Sequence, residues 1–217
     1  MFQHVYERAR QAQYLSEVII ATDDERIYSA ARDFGSKARM TRADHLSGSD
    51  RAAEVASTDG AAYIVNIQGD EPLIDPAAID AAVLGLVGES EAPMSTLAKR
   101  IEDPREIDDP NVVKVVTDLR GYALYFSRCP IPFARGGRPQ YRKHIGLYAY
   151  RREFLLGYSR MPVGPLERSE KLEQLRALEN GHSIRVVETE YESMGVDTPE
   201  DLERLLCLYE STQAEQS

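Results

Sequence analysis

The sequence predicts an α/β protein in which helices cover both faces of a mainly parallel sheet. Short apolar, β-branched runs such as residues 63–67 (YIVNI) alternate with helical patterns up to about residue 99, as is typical of such sheets. Residues 112–117 and 122–126 are two further strand patterns, and the four residues between them include Gly121. That spacing predicts an antiparallel hairpin added to the sheet.

Size and composition indicate one globular domain. The chain has 217 residues, of which 42% are apolar and 29% are charged. A chain of this length can bury a substantial core. Its net charge is −10 and it has no run of lysine or arginine, which disfavours binding to nucleic acid.

The cysteines and the apolar runs bear on location. Cys129 and Cys207 are far apart and lack metal-ligand spacing, so we expect free thiols in a reducing compartment. There is no signal-peptide pattern and no apolar run of about 18 residues. We therefore expect a cytoplasmic protein that does not cross a membrane.

The first sixty residues predict three helices and two strands. A helix over 2–13 precedes a strand over 17–22, and Asp23 is the expected N-cap of a helix ending near residue 34, with Gly35 after it. A short strand follows at 38–40. The polar loop 41–50 then leads into a helix over 51–56. Such a loop at a helix N-terminus suits an anion or the polar edge of a base, although an ordinary capped turn would look the same.

The stretch 63–72 (YIVNIQGDEP) is the most informative part of the chain. Its apolar half predicts a buried strand, and Asp70 follows directly after it. Ligands bind at the carboxyl ends of strands in open α/β sheets. An ionised aspartate there needs a cation or several donors. The alternative is that Asp70 or Glu71 only begins the turn into the next helix, predicted over 76–86.

The second half of the chain places polar groups on a strand and on a helix. After a strand over 94–99, the hairpin and a proline- and glycine-rich excursion, residues 143–150 (KHIGLYAY) predict a strand with His144, Gly146, Tyr148 and Tyr150 on one face. That face suits a polar pocket or a dimer interface. In a helix predicted over 166–180, Glu173 and Gln174 point away from the apolar stripe, as a solvated face would.

A second aspartate follows the last predicted strand, at 184–188. Thr198 and Asp201 predict a helix cap, but capping leaves Asp197 unexplained. If the strands before Asp70 and Asp197 are neighbours, the two carboxylates converge and require a cation between them. Oxygen ligands of this kind suit Mg²⁺. The residues alone thus indicate an α/β enzyme that uses Mg²⁺ on a phosphate-bearing substrate.

Motifs along nearly the whole chain are familiar in combination. They are ATDDERI at 21–27, MTRADHLSGSDRAAEV at 40–55, IVNIQGDEPLI at 64–74, PNVVKVV at 110–116, GYALYFSRCPIPF at 121–133, RKHIGLYAYRREFL at 142–155, PLERSEKLEQLRALENG at 165–181 and GVDTPEDLERL at 195–205. In this order they make the chain similar to the 3-deoxy-manno-octulosonate (Kdo) cytidylyltransferases, also called CMP-Kdo synthetases.

The resemblance implies both an activity and an architecture. The family transfers CMP from CTP to the anomeric 2-hydroxyl of Kdo and releases pyrophosphate, for lipopolysaccharide biosynthesis. Its fold is a three-layer α/β/α, Rossmann-like nucleotidyltransferase with a mixed sheet. The whole of 1–217 would be one such domain, with residues 112–150 as the subregion that forms a homodimer.

The resemblance also assigns residues. Asp70, Asp197 and Gln68 would be catalytic, and the two aspartates would hold Mg²⁺. Arg42, Ser47 and Gly48 would lie against the cytidine. The pocket for the sugar acid would be lined by Gln68, His144, Tyr148, Glu173 and Gln174.

The beginning of the chain departs from the family pattern. Family members open with a strand and a loop of the type A-R-x-x-S-T-R-L-P-G-K, whose Arg and Lys grip the triphosphate, ahead of the helix that starts here at Phe2. On this comparison the domain is N-terminally truncated, and we expect the chain as given to bind CTP weakly. Two alternatives stay open: a cytidylyltransferase for sialic acid or amino-Kdo, and a catalytically impaired CTP-binding or dimerisation module.

Overall fold

The computed structural model describes residues 1–45, 47–88, 91–137, 139–196, 198, 200–203 and 205–207. Its helices are α1 (Phe2–Ala9), α2 (Glu25–Asp33), α3 (Gly48–Ser57), α4 (Pro76–Leu84), α5 (Arg105–Asp108), α6 (Arg152–Tyr158), α7 (Pro165–Glu170) and α8 (Leu175–Glu179). Its strands are β1 (Ile19–Thr22), β2 (Lys37–Met40), β3 (Tyr63–Asn66), β4 (Met94–Arg100), β5 (Lys114–Thr117), β6 (Ala123–Ser127), β7 (Arg142–Arg151) and β8 (Ile184–Glu188). Residues 200–203 and 205–207 are also helical.

The sheet is mixed, and β7 is its central strand. β4 pairs antiparallel with β7 along its whole length, while β3 and β5 pair antiparallel with β7 at its two ends. β8 lies parallel to β4, and β5 and β6 form the predicted hairpin. The expectation of a mainly parallel sheet was wrong, because β7 returns from the excursion and enters the sheet from the opposite end.

Two apolar cores lie on opposite faces of this sheet, which gives three layers. Met94 and Tyr150 pack on one face with α3, α6 and α8. Leu97 and Ala149 pack on the other face with α1 and α4. Because strand side chains alternate between faces, a single strand such as β4 or β7 supplies both cores. The face with His144, Tyr148 and Tyr150, for which a dimer interface was the alternative, is covered from within the same chain.

β1 and β2 pair in parallel and, in the described part of the chain, form a small separate sheet. β1 and β3 line a cavity of about 460 Å³ between this sheet and the larger one. Gly48 and Gln68 also line this cavity. The start of α3 and the end of β3 are thereby brought to the same place, where the candidate site lies.

Several local predictions change at the helix ends. Asp24, not Asp23, caps α2: its carboxylate accepts from the Arg26 backbone N–H at 2.8 Å. Asp23 instead lies 3.2 Å from the Arg51 guanidinium. α3 begins at Gly48, three residues earlier than predicted, because Ser47 caps it.

The helix predicted over 166–180 is two helices. α7 ends at Glu170, and its C-cap Lys171 has a left-handed backbone with φ of 55°. α8 begins at Leu175. Glu173 and Gln174 lie in the break rather than on a helix face. Gln174 is only 4% exposed, so the interpretation of a solvated face was wrong.

The C-terminal helix begins with the predicted cap. The Asp201 backbone N–H donates to the Thr198 hydroxyl at 3.2 Å, and the Asp201 carboxylate accepts from the Thr198 backbone N–H at 3.1 Å. This reciprocal pair is a capping box. Cys129 and Cys207 are both exposed and do not form a disulfide. Within the described ranges, no helix has the length and apolarity needed to cross a bilayer.

Candidate active site

The N-terminus of α3 forms one side of the site. The Ser47 hydroxyl accepts from the Asp50 backbone N–H at 3.2 Å and donates to Glu173 Oε1 at 3.0 Å. Helix capping therefore fixes the position of Ser47, and Ser47 in turn holds Glu173. The next hydroxyl, on Ser49, lies 3.1 Å from the Tyr150 hydroxyl. These contacts join the 47–50 loop to β7 and to the break between α7 and α8.

Gly48 lies against the end of β3. A Cβ atom added at Gly48 would be 3.2 Å from Asn66 Nδ2 and 3.7 Å from Gln68 Nε2. The first distance is tighter than an ordinary contact, so a side chain here would displace the Asn66 amide. Gly48 thus allows the loop to approach two amide side chains, of which Gln68 is exposed and available to a ligand.

A row of aromatic rings follows one face of β7. The ring of His144 is 5.1 Å from that of Phe126 and 5.4 Å from that of Tyr148. Tyr148 in turn stacks on Tyr150 with centroids 6.0 Å apart. Because Asn66, Tyr148 and Thr96 are register partners across β3, β7 and β4, this row lies directly beside the β3 end.

Thr96 determines which ring nitrogen of His144 carries the proton. Its hydroxyl lies 3.0 Å and 2.9 Å from the carbonyls of Ile145 and Leu147, at the irregularity where β4 and β7 shift register. It also lies 2.9 Å from His144 Nε2. Since the hydroxyl proton goes to a carbonyl, the oxygen accepts from Nε2–H, and Nδ1 of the neutral imidazole remains an acceptor.

Burial keeps the side chains of His144 and Tyr148 uncharged. It lowers the pKa of His144 to about 3. It also raises the pKa of the Tyr148 phenol well above its usual value. At neutral pH, His144 and Tyr148 are therefore hydrogen-bonding groups without charge, which suits recognition of hydroxyls.

His144 is expected to weaken the fold in acid. Its folded pKa of about 3 lies below the ordinary value of 6.5, so the unfolded state takes up the proton first and stability falls as pH drops from 6.5 towards 3. In urea unfolding between about pH 7 and pH 5, the His144→Gln variant should lose less stability than the native chain, by up to about 1.4 kcal/mol per pH unit. Exposed His4→Gln is the control, and an equal effect there would contradict the prediction.

The break between α7 and α8 is held rigidly. Arg176 makes two hydrogen bonds to Glu167, of 2.9 Å and 2.6 Å, and both side chains are 11% exposed. The Tyr158 hydroxyl donates to the backbone carbonyl of Glu173 at 2.8 Å. A buried, two-point ion pair costs much to break. Glu173 and Gln174 are thus presented from a fixed backbone.

The two side chains of the break differ in character. Burial raises the pKa of Glu173, and the charge of Asp50 raises it further, while Ser47 and Arg176 act in the opposite direction. Gln174 Nε2 is buried and has no hydrogen-bond partner among the described residues. A buried donor without an acceptor lowers the stability of the fold by about 1–3 kcal/mol. A ligand atom that accepts a hydrogen bond from Gln174 Nε2 would recover this free energy.

Asp70 lies in the turn that follows β3, two residues after Gln68. Its Oδ1 is buried without a hydrogen-bond partner in the described part of the chain. Its backbone carbonyl accepts from the Val196 N–H at 3.0 Å, and its Oδ2 would lie 3.9 Å from a Cβ at Gly195. The chain after β8 therefore reaches Asp70, although β7 and β4 lie between β3 and β8, which are not the neighbours that the prediction assumed. Asp197 itself lies outside the described residues.

Arg42 lies at the rim of the candidate site, apart from the other predicted site residues. Its guanidinium is 70% exposed, and Nε lies 3.1 Å from Asp44 and 3.9 Å from Glu54. No contact with the other predicted site residues is described for it. The described contacts join Ser47 to Glu173, Gly48 to the Gln68 side chain, and His144 to Tyr148. Along the chain, Asp70 follows Gln68 and Gln174 follows Glu173.

Comparison with known proteins shows which family the chain belongs to. A family model described as Cytidylyltransferase matches residues 1–184. A 3-deoxy-manno-octulosonate cytidylyltransferase of Solibacter usitatus is 72% identical over 214 residues, which are 98% of this chain and 85% of the relative. The chain belongs to the 3-deoxy-manno-octulosonate cytidylyltransferase family.

Two further comparisons support the same family. The enzyme of that name from Geobacter sulfurreducens is 56% identical over 218 residues, covering 95% of this chain and 87% of the relative. A solved structure of CMP:2-keto-3-deoxy-manno-octonic acid synthetase complexed with CTP superposes with a TM-score of 0.93. It is 44% identical and covers 97% of this chain and 88% of its own. The resemblance and the nucleotidyltransferase fold predicted from the motifs are confirmed.

The structure adds members that the sequence argument left out. Thr96 hydrogen-bonds to His144, Ser49 hydrogen-bonds to Glu173, and Asn66 pairs with Tyr148 in the sheet, yet they were not predicted as site residues. Asn66 stands inside the quoted NIQGDEP motif. Ser95 and Thr96 are hydroxyl residues buried between the apolar Met94 and Leu97 of β4, and this pattern was the available signal for Thr96.

A magnesium ion fits what is described around Asp70. Its buried oxygen without a partner is a hard, anionic donor, as Mg²⁺ prefers. The described residues contain no group of three or more His, Cys, Asp or Glu side chains that could hold a metal. Mg²⁺ usually keeps several waters and substrate phosphates as ligands.

Proposed function

We propose that this chain transfers CMP from CTP to the anomeric 2-hydroxyl of Kdo and releases pyrophosphate, as a step of lipopolysaccharide biosynthesis. One observation carries the proposal most strongly. Asp70, whose carboxylate Oδ1 is buried without a partner among the described residues, follows β3, and the uncharged hydrogen-bonding groups His144 and Tyr148 lie on β7, which pairs with β3. A polyhydroxy acid and a metal-bound triphosphate need these two kinds of surface side by side.

The bonding changes are simple. The 2-hydroxyl oxygen of Kdo forms a bond to the α-phosphorus of CTP. The bond between that phosphorus and the oxygen bridging to the β-phosphate breaks, which releases pyrophosphate. The hydroxyl proton is lost to solvent or base. In such transfers a protein mainly positions the groups in line and stabilises charge. When bound, Mg²⁺ supplies charge neutralisation and orientation.

The chain's own residues would do the positioning. Asp70, with Asp197, would hold the ion, and Gln68 would donate from the end of β3 towards the reacting centre. His144 Nδ1, Tyr148 and Gln174 would bind hydroxyls of the sugar acid. The start of α3, with Ser47 and Gly48, would lie against the nucleotide with Arg42 at its rim, because backbone N–H groups there suit polar or anionic groups.

Pyrophosphate release tests the proposal. We expect release that requires CTP, Kdo and Mg²⁺ together, and that falls sharply when sialic acid replaces Kdo or UTP replaces CTP. A chain that releases pyrophosphate faster with sialic acid would contradict the assignment to Kdo. Binding of CTP without release would favour the impaired CTP-binding module instead.

We further propose a homodimer and a cytoplasmic location. Leu119, Leu124 and Phe133 are large apolar side chains, and all three are exposed on the hairpin and excursion of the 112–150 subregion. Large exposed apolar side chains support a contact with a second copy, which light scattering tests. The two exposed thiols support a reducing compartment.

A further inference from the structure

The segment 189–196 connects β8 to the turn that carries Asp70. It is tied at both ends by backbone bonds, since the Thr189 N–H donates to the Ala98 carbonyl at 3.0 Å and the Val196 N–H donates to the Asp70 carbonyl at 3.0 Å. We call this segment the connector. Between these two ends, side chains decide how closely the connector lies against the Asp70 turn.

Glu71 is the main side-chain anchor of the connector. It is 8% exposed, and its Oε2 accepts from the Tyr191 hydroxyl at 3.0 Å. The Ser193 side chain also hydrogen-bonds to this carboxylate. Tyr191 is itself 9% exposed and packs in the same apolar core as Ile74, three residues beyond Glu71. The carboxylate is therefore already engaged by two hydroxyls of the connector.

Glu192, the residue after Tyr191, anchors the connector to the sheet instead. Glu192 pairs with Lys99 at 2.8 Å and also contacts Lys143. Lys143 additionally bonds to Glu106 at 2.6 Å. These contacts hold the connector on β4 and β7, but they do not reach the Asp70 turn. Glu71, Tyr191 and Ser193 are the side chains described as joining the connector to that turn.

We propose that Glu71 is a positioning residue and not a metal ligand: through Tyr191 and Ser193 it holds the connector against the Asp70 turn and so sets the geometry in which Asp70 meets its cation. The inference rests on the proposed function for the identity of the site. Partners outside the ligand shell that orient metal ligands are commonly worth about 10–100-fold in metal affinity. A hydroxyl–carboxylate bond at 3.0 Å in a buried position fits that role.

Binding of Mn²⁺ to the full chain tests the inference without turnover. The free ion is counted by its electron paramagnetic resonance signal. Tyr191→Phe should weaken Mn²⁺ binding about tenfold, with the fold intact by circular dichroism. Tyr125→Phe is the matched control, since Tyr125 also donates to a glutamate, Glu170, at 3.4 Å in another part of the fold. Unchanged Mn²⁺ affinity in Tyr191→Phe would overturn the proposal.

Two variants of Glu71 separate positioning from ligation. In Glu71→Gln, the amide oxygen still accepts from Tyr191 and the amide N–H₂ can donate to Ser193, so Mn²⁺ affinity should stay within about threefold of native. Glu71→Ala loses both bonds and should fall about tenfold. Equal losses in the two variants would mean that the charge of Glu71 acts on the metal directly, which overturns the proposal.

Hydrogen exchange at the Val196 amide gives a second readout. We expect faster exchange in Tyr191→Phe and Glu71→Ala than in Glu71→Gln, because the Val196–Asp70 bond opens when the connector loosens. A native chain that binds no Mn²⁺ would overturn the metal role. A chain that binds Mn²⁺ and shows these differences but releases no pyrophosphate would instead leave this inference standing and contradict the proposed function.

Discussion

Replacing Asp70 by asparagine is expected to lower pyrophosphate release from CTP and Kdo by about a thousandfold, with little change in the fold. Asparagine keeps the shape and one acceptor oxygen but loses the charge that would hold a divalent cation beside the triphosphate. Removal of one electrostatic group from a phosphoryl-type or acyl-type transition state commonly costs about 10²–10³ in rate. The measurement is initial rate at saturating CTP and Kdo over a series of Mg²⁺ concentrations.

The thermal midpoint makes this prediction sharper. Asp70 Oδ1 is buried and has no hydrogen-bond partner in the part of the chain that the structure describes. In the absence of metal, its replacement by a neutral amide should therefore leave the thermal midpoint unchanged or raise it. A large fall in the midpoint would mean that Asp70 is structural.

Asp75 supplies a matched control on the same loop. Its carboxylate accepts from the Ala77 backbone N–H at 2.9 Å and caps α4. Asparagine is an equally good N-cap, so Asp75→Asn should keep nearly native activity. If Asp70→Asn retained activity within tenfold of native, or if both variants lost it equally, the assignment of Asp70 as the metal ligand would be wrong.

Replacing Gln174 by leucine is expected to raise the KM for Kdo by about 10–100-fold while it stabilises the free protein. Gln174 is 4% exposed and its Nε2 has no partner among the described residues. An unmet buried donor costs about 1–3 kcal/mol, which a substrate oxygen recovers on binding. Leucine has a similar size and removes both the cost and the recovery. KM for Kdo and urea unfolding are the two measurements.

Asn180 is the matched control for this trade between stability and binding. Its Nδ2 is satisfied, with bonds to the carbonyls of Pro162 at 3.1 Å and Arg176 at 2.8 Å. Asn180→Ala should destabilise the protein by about 1–2 kcal/mol and leave the KM for Kdo unchanged. A Gln174→Leu variant that is destabilised and binds Kdo normally would show that the amide serves the fold and not the substrate.

Local sequence patterns predicted most elements of the fold because each depended on short-range chemistry. Alternation of apolar residues identified β7, glycine spacing identified the β5–β6 hairpin, and Thr198 with Asp201 identified a capping box. The cap of α2 was misplaced by one residue, since Asp23 and Asp24 are both good caps and the Arg51 contact that engages Asp23 is not visible in the local sequence.

Local sequence patterns pointed to some of the candidate site residues and not to others. Asp70 and its strand were readable from residues alone, because an apolar strand that ends in a carboxylate is a strong local signal. Glu173 and Gln174 were not, since the helical spacing of leucines around them predicted one continuous helix. The structure breaks that helix at Lys171, and the buried Arg176–Glu167 pair holds the break. Only the motif resemblance assigned the two side chains to the site.

By itself, the sequence determined the family, the order of the elements and the position of Asp70 at a strand end, because these follow from local periodicity and from motifs. The tertiary structure alone decided that β7 is central and antiparallel to β3 and β4, that Thr96 fixes the tautomer of His144, and that Tyr191 reaches Glu71. The reason is physical. Thr96 and His144 are 48 positions apart, and Glu71 and Tyr191 are 120 apart. Burial and hydrogen bonding between such residues depend on how the layers pack, which no local pattern encodes.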